Sequence, residues 1–286
     1  MAKRLKLLLS LVLTGAIVYV LYSMADLDAL AEGLRMANPW WFSAYLLLIV
    51  PQVFLAALRW KSMVHHFAAT EISRNRAFMQ VVGAYAANLL VPSKLGEFVK
   101  GLWLKTGDRK FLPFFLVALE KIFDVMATLA IMTLCLAVVL IAPEFQPRSV
   151  IGPIFVFLVV GWVVGLLLLR YADLPVRLVN RVFLRGDEQE LKRKWDAMLG
   201  QKGALVQVGG QSLLLWAVQL FQFWCMFKVF GVTVPLDELG AGSTLALFAG
   251  VLPVTVGGVG LRDGALLWYF GSVLSVEVVL SVGILS

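Results

Sequence analysis

The sequence predicts an all-α, polytopic membrane helix bundle with two re-entrant helical hairpins related by an inverted-topology repeat, and three observations predict it. The first is composition: 60% of the 286 residues are hydrophobic, 15% are charged and the mean hydropathy is +0.87, against an apolar share of about 45–50% in soluble domains. The second is where the basic residues fall. Of the 25 Lys and Arg, 20 lie in four segments at the ends of apolar runs: 3 before the first run, 4 after the second, 5 after the first broken run and 8 in one long loop. That is the pattern of cytoplasmic loops in a multi-pass protein, and it accounts for the formal charge of +7 without a nucleic acid partner. The third is a pair of apolar runs that end in Pro, Gly and charge, Asn88 to Lys100 and Val251 to Asp263.

Taken in order, Leu5 to Tyr22 is an apolar run with Lys3, Arg4 and Lys6 at its start. It resembles a signal peptide, but it is long for one and no small-x-small cleavage site follows cleanly, so it reads as a retained first span with its N-terminus in the cytoplasm. The acidic loop Ser23 to Pro39 is external. Trp40 and Trp41 open the second span at the interface, and it runs to about Leu58, with Arg59, Trp60 and Lys61 back in the cytoplasm. Lys61 to Arg76 reads as a polar cytoplasmic segment carrying a solvated His65–His66 pair; with no other His in the chain, metal binding is disfavoured. Phe111 to Ala142 is a long helix running outward and Ile151 to Leu169 returns. Residues 170–202 form the longest soluble piece, read as a cytoplasmic amphipathic helix pair against the anionic leaflet. Leu205 to Phe230 crosses outward with two glutamine pairs, Gln207 and Gln211 four apart and Gln219 and Gln222 three apart, a polar stripe aimed inward. Leu239 to Pro253 then enters from outside. Cys135 and Cys225 sit inside apolar runs as packing residues, with no disulfide or zinc spacing.

The apolar run before Pro92 is too short to cross a hydrocarbon core of roughly 30 Å as a helix, and the lysines after it return the chain to the side it came from. A re-entrant hairpin follows, and irregular backbone of this kind survives at membrane depth only when it is buried in protein or lines a wet cavity. Pro92 and Gly96 recur four apart as Pro253 and Gly257, followed by Gly258 and Gly260, now entered from the opposite side. Two broken elements of opposite orientation are the mark of an inverted repeat whose binding site lies between them; the plainer alternative is two ordinary helices kinked by Pro and Gly. The chain is read as one transmembrane domain, 1–286, with repeat-like halves at about 41–142 and 205–286. Symmetry asks for another full span after Gly257 to Phe270, whereas the sequence ends at Ser286, so the last span is expected to be cut short.

Ionisable side chains inside a membrane protein are costly and are functional candidates by default. Glu120 and Asp124 are four apart and share a helix face, with Lys121 beside them. With Lys94, Glu97, Lys100, Arg262 and Asp263 they make a set of both signs. One reading is an internal salt-bridge network that holds the bundle together. The other is a pocket for a lipid headgroup: Lys94, Lys100, Lys121 and Arg262 meeting a phosphate, Glu97, Glu120, Asp124 and Asp263 meeting an amine or relaying a proton, and the hairpin tips at Asn88, Pro92, Gly96, Pro253, Gly257, Gly258 and Gly260 offering backbone N–H groups. No nucleophile elbow, nucleotide loop or metal spacing appears, so no catalytic residue, metal or cofactor is assigned and the chain is read as a non-enzyme.

On the residues Asn88…Pro92-x-Lys94-x-Gly96-Glu97-x-x-Lys100, Glu120-Lys121-x-x-Asp124 and Leu252-Pro253…Gly257-Gly258-x-Gly260-x-Arg262-Asp263, the sequence resembles the transmembrane, flippase-type domain family of lysylphosphatidylglycerol synthases, in a stand-alone form without the synthase domain. That family's pattern has Arg where Lys94, Lys100 and Lys121 stand and Glu where Asp263 stands; charge is kept while Arg's bidentate phosphate contacts are not. The resemblance implies lipid translocation without aminoacyl transfer. The expectation is therefore a flippase-like translocase of a phospholipid, or another anionic or zwitterionic lipid, in the bacterial inner membrane, downhill or ion-coupled. The rivals are a polyprenyl-phosphate carrier for envelope glycan assembly and a non-transporting membrane partner of an envelope enzyme. The partners expected are membrane lipids, with a second copy of the chain or an envelope enzyme left open.

Overall fold

A computed structural model describes residues 2–90, 96–104, 112–141, 155–156, 158–165, 167, 188–251, 255 and 259–285, and the secondary structure within them is helical throughout. Three helices are long and apolar enough to cross a membrane: α3 (Pro39–Ala68), α6 (Leu112–Ile141) and α8 (Lys202–Val229). Around them lie α1 (Ala2–Ser23), α2 (Leu27–Arg35), α4 (Arg74–Leu90), α5 (Val99–Leu102), α7 (Glu188–Gly200), α9 (Leu236–Val251), α10 (Leu261–Phe270) and α11 (Val276–Leu285). The molecule is an all-α membrane helix bundle. Its outer surface is apolar where a soluble protein's would be polar, as at Leu47, Leu134 and Val206, while Arg59, Glu97, Lys100, Glu120 and Asp124 are buried inside it.

The start of α3 follows from Asn38 and Pro39. Asn38 Oδ1 accepts from the N–H groups of Trp40 and Trp41, Pro39 occupies the first turn, and the Asn38 N–H donates to Val229 O at the end of α8. The two helices then run side by side. α3 does not stop near Leu58: it continues to Ala68, ten residues past the expected boundary, because Met63, Val64 and Phe67 carry the apolar period on and are buried in the core. Its end is fixed by Ala69 in the left-handed conformation (φ 49°). The expected external loop Ser23 to Pro39 likewise contains α2, capped by Asp26, whose Oδ1 accepts from Asp28 and Ala29.

Two antiparallel hairpins flank the long helices. α4 has 17 residues, about 25 Å of helix, and after 91–95 the chain doubles back along it: Gly96 lies directly on the backbone of Ala87 and Asn88, where a Cβ has no room, and the indole of Trp103 packs on Gly83. In the second pair, Gly250 faces Arg262 and Gly242 lies beneath the rings of Tyr269 and Phe270, while Tyr269 Oη donates to Glu238 Oε2 at 2.5 Å. α10 opens at Gly260 (φ 86°), a conformation that favours glycine, and this turn rests on Ile17 and Val18 of α1. Of the hairpin-tip positions, Asn88, Gly96 and Gly260 are seen; Pro92, Pro253, Gly257 and Gly258 lie outside the described residues, as does the expected phosphate-binding Lys94.

α7 belongs to the expected cytoplasmic helix pair; 170–187 lie outside the described residues. Two of its apolar residues pack within the protein: Trp195 and Met198 are buried, with Trp195 edge-on to Phe115 of α6 at 6.3 Å. Cys225 is buried and Cys135 packs against Gly240.

Candidate functional site

Glu120 and Asp124 lie one turn apart on α6 and face α3 and α8. The residue that meets them is Arg59 of α3: its Nη2 donates to Glu120 Oε1 at 2.7 Å and its Nη1 to Asp124 Oδ1 at 2.5 Å, with Ser212 Oγ of α8 at 3.0 Å. Trp216 Nε1 of α8 adds a bond to Asp124 Oδ1 at 3.1 Å. From the returning arm of the first hairpin, Lys100 Nζ reaches Glu120 Oε2 and lies 3.6 Å from Glu97 Oε2. Lys121 closes the figure, 2.5 Å from Glu97 Oε2 and 3.1 Å from Asp124 Oδ2. The six side chains thus form a closed ring of alternating sign: Arg59, Glu120, Lys100, Glu97, Lys121, Asp124 and back to Arg59.

The ring sums to zero, which is what makes it tolerable. A buried charge costs several kcal/mol unless it is paired and hydrogen-bonded, and here each charge touches two of the opposite sign. It also borders space. A cavity of about 200 Å³ is lined by all six, together with Gln52 and Ala56 of α3, Tyr85 and Asn88 of α4, and Trp216 and Gln219 of α8. Lys100 has in addition the indole of Trp60 beneath it, 5.0 Å from Nζ to the ring centre, and Trp60 is fixed by donating to Gln80 Oε1 at 2.8 Å. Arg59 Nε is a buried donor with no hydrogen-bond partner among the described residues.

The polar stripe expected on α8 is present and faces α3. Gln207 and Gln211 both donate to Ser62 Oγ, at 3.2 and 3.1 Å, His66 Nε2 lies 3.0 Å from Gln207 Oε1, and Gln219 meets Gln52 at the cavity wall. Gln222 is buried further along. His65 pairs with Glu71 at 2.6 Å and is half exposed.

The structure therefore brings together Glu97, Lys100, Glu120, Lys121 and Asp124 from the expected set and places Asn88 in the same wall. Arg262 and Asp263 are not in it. They secure the second hairpin to the last helix: Asp263 Oδ2 accepts from the Gly260 N–H at 3.1 Å, Arg262 Nη2 donates to Gly283 O at 2.5 Å, and the two side chains lie 3.4 Å apart. Sequence reasoning missed Arg59, assigning it with Trp60 and Lys61 to a cytoplasmic flank, and passed over Gln52, Ser212 and Trp216. The signal for Arg59 was the apolar period that continues through Met63 to Phe67, which places Arg59 within the helix and not beyond it.

The family model described as "Lysylphosphatidylglycerol synthase TM region" matches residues 7–286. A relative from Methanothermobacter thermautotrophicus, described as "UPF0104 membrane protein", is 23% identical over 268 residues, covering 84% of this chain and 77% of the relative. With the match running through every described helix and through the ring, the chain belongs to the lysylphosphatidylglycerol synthase TM region family.

Proposed function

We propose that the protein carries a lipid between the leaflets of the membrane, its headgroup passing through the charged cavity while the acyl chains stay in the hydrocarbon. The observation that carries this reading is the closed ring of three cations and three carboxylates around about 200 Å³ of space. A zwitterionic headgroup exchanges into such a ring without changing its net charge: phosphate oxygens replace a carboxylate at Arg59, Lys100 or Lys121, and an ammonium replaces a lysine at the carboxylate released. The free Arg59 Nε is a donor for one of those oxygens. An anionic headgroup fits with a co-transported proton on Glu97, Glu120 or Asp124. The two antiparallel hairpins, read as re-entrant elements of an inverted repeat, supply the alternating-access mechanism. The chain is taken as a non-enzyme of the bacterial inner membrane with a cytoplasmic N-terminus.

A second reading is favoured by the same ring's completeness: every member already has two partners of opposite sign, as a purely structural network in a non-transporting membrane partner would. Leaflet-resolved translocation in proteoliposomes, comparing the protein with Glu97→Gln across phosphatidylglycerol, phosphatidylethanolamine and polyprenyl phosphate, separates them. A carrier moves at least one lipid and loses that movement in the folded variant; movement of polyprenyl phosphate alone selects the glycan-assembly carrier. No movement of any of the three overturns transport in favour of the structural role.

A further inference from the structure

The six ring members are not equally shut in. Five side chains are 3–9% exposed, whereas that of Lys121 is 33% exposed. Among the described residues, Lys121 lines both the charged cavity and an apolar groove. A groove of about 360 Å³ begins at Lys121 and is lined by Val125, Met126 and Leu129 of α6, by Val160, Gly161, Val164 and Gly165 of the helical stretch 158–165, and by Phe248 of α9. Lys121, Val125 and Leu129 are successive members of one four-residue row on α6, so the groove leads away from the ammonium along the helix for about 12 Å. Gly161 and Gly165 set its depth: a Cβ on either would press on Leu129 or on Met126. A second apolar groove of about 390 Å³, adjacent to the first and sharing Ile122 and Met126 with it, lies between α6, α7 and α8 and includes none of the six charged residues.

We infer that the groove between α6, the stretch 158–165 and α9 holds one acyl chain of a phosphate-bearing lipid whose phosphate is met by Lys121, making this flank of α6 the side on which lipid enters the ring. The inference deepens the carrier reading and rests on it for the direction of traffic, though not for the binding itself. The occupant is fixed by complementarity at both ends: an apolar trough for a hydrocarbon chain, and at its head one cation on a flexible four-carbon stem that can follow a phosphate while its backbone stays in place. Phosphate binding at Lys121 draws the ammonium from Glu97 and Asp124 and so opens the ring at its exposed corner.

The test is native mass spectrometry of the full chain in detergent with phosphatidylglycerol, with diacylglycerol as the phosphate-free arm and glycerol 3-phosphate as the chain-free arm. Val164 and Val163 are 48% and 50% exposed, but only Val164 lines the groove, so Val164→Trp fills the trough from the surface and Val163→Trp is its matched control. The expected result is that Val164→Trp weakens phosphatidylglycerol binding by about tenfold or more and leaves glycerol 3-phosphate unaffected. Val163→Trp changes neither, and Lys121→Gln removes the preference for phosphatidylglycerol over diacylglycerol. Equal effects of the two tryptophans, or a preference that survives Lys121→Gln, overturns the inference. Translocation of the same lipid in proteoliposomes tells the two failures apart: transport that persists while Val164→Trp binds like the parent refutes this entry path and spares the carrier, whereas binding as expected with no transport by the parent keeps the groove and refutes the carrier.

Discussion

Arg59 spans two carboxylates with one planar guanidinium, a task for which lysine has the charge but not the fork. Removing it leaves Glu120 with Lys100 alone and Asp124 with Lys121 and Trp216. Arg59→Met is expected to destabilise the folded protein by about 3–5 kcal/mol, the usual cost of stripping one partner from a buried ion pair, and thermal unfolding in detergent measures it. Arg59→Lys should recover only part of that loss, since an ammonium lacks the planar fork that reaches Glu120 Oε1, Asp124 Oδ1 and Ser212 Oγ together. Trp60→Phe keeps the ring that Lys100 sits over but strips Gln80 of its donor, at a cost of about 1–3 kcal/mol. At this scale five of the six ring members were legible. Glu120 and Asp124 announce a shared face by their spacing, and a charge on an apolar helix is conspicuous. Arg59 was not legible, because an arginine near the end of an apolar run has a ready explanation in topology; only its three-dimensional neighbours separate a buried bridge from a loop flank. Arg262 and Asp263 lie apart from the ring, and proximity to a broken helix in sequence does not say which cavity a side chain lines.

The hairpins depend on contacts between backbones more than on side chains. At Gly96 a Cβ would meet the Ala87 and Asn88 backbone, which cannot yield as a side-chain tip can. Gly96→Val is therefore expected to abolish the folded protein, seen as loss of the monodisperse peak in size-exclusion chromatography, whereas Gly209→Ala on α8, with nothing within 4 Å, should be silent. If the first hairpin is re-entrant, single cysteines at Ser73 and Asp108, in a background with Cys135 and Cys225 replaced by Ala, should both react with a membrane-impermeant maleimide from the cytoplasmic side only; opposite-side labelling would make the segment an ordinary span. The sequence was informative here because Pro, Gly and lysine interrupt an apolar run too short to cross. It was uninformative about α2 and the last third of α3, where short amphipathic turns lie beside polar residues and packing against the bundle, invisible in one dimension, decides for helix.

For the molecule as a whole, the balance of three cations against three carboxylates sets an expectation about energetics. A net-neutral headgroup adds no charge to the ring, whereas an anionic one adds an uncompensated charge in a region where that costs several kcal/mol. In the carrier proposed, an imposed pH gradient should accelerate phosphatidylglycerol movement and leave phosphatidylethanolamine movement unchanged, both read by leaflet-selective quenching of labelled lipid; equal responses would place the coupling elsewhere. Fold class was the most legible property, since composition and the distribution of lysine and arginine need no contacts to be read. The bridge from α3 to α6 also has a consequence in time. Arg59 precedes Glu120 by 61 residues, so at ordinary rates of synthesis it leaves the ribosome roughly 3–12 s before its partner exists. During that interval α3 is an apolar segment with an unneutralised guanidinium, kept near the headgroup layer by its long side chain, and it settles to its final depth only when α6 arrives. Nascent chains arrested before Glu120 should therefore hold α3 displaced toward the cytoplasm, and release of α6 should pull it in.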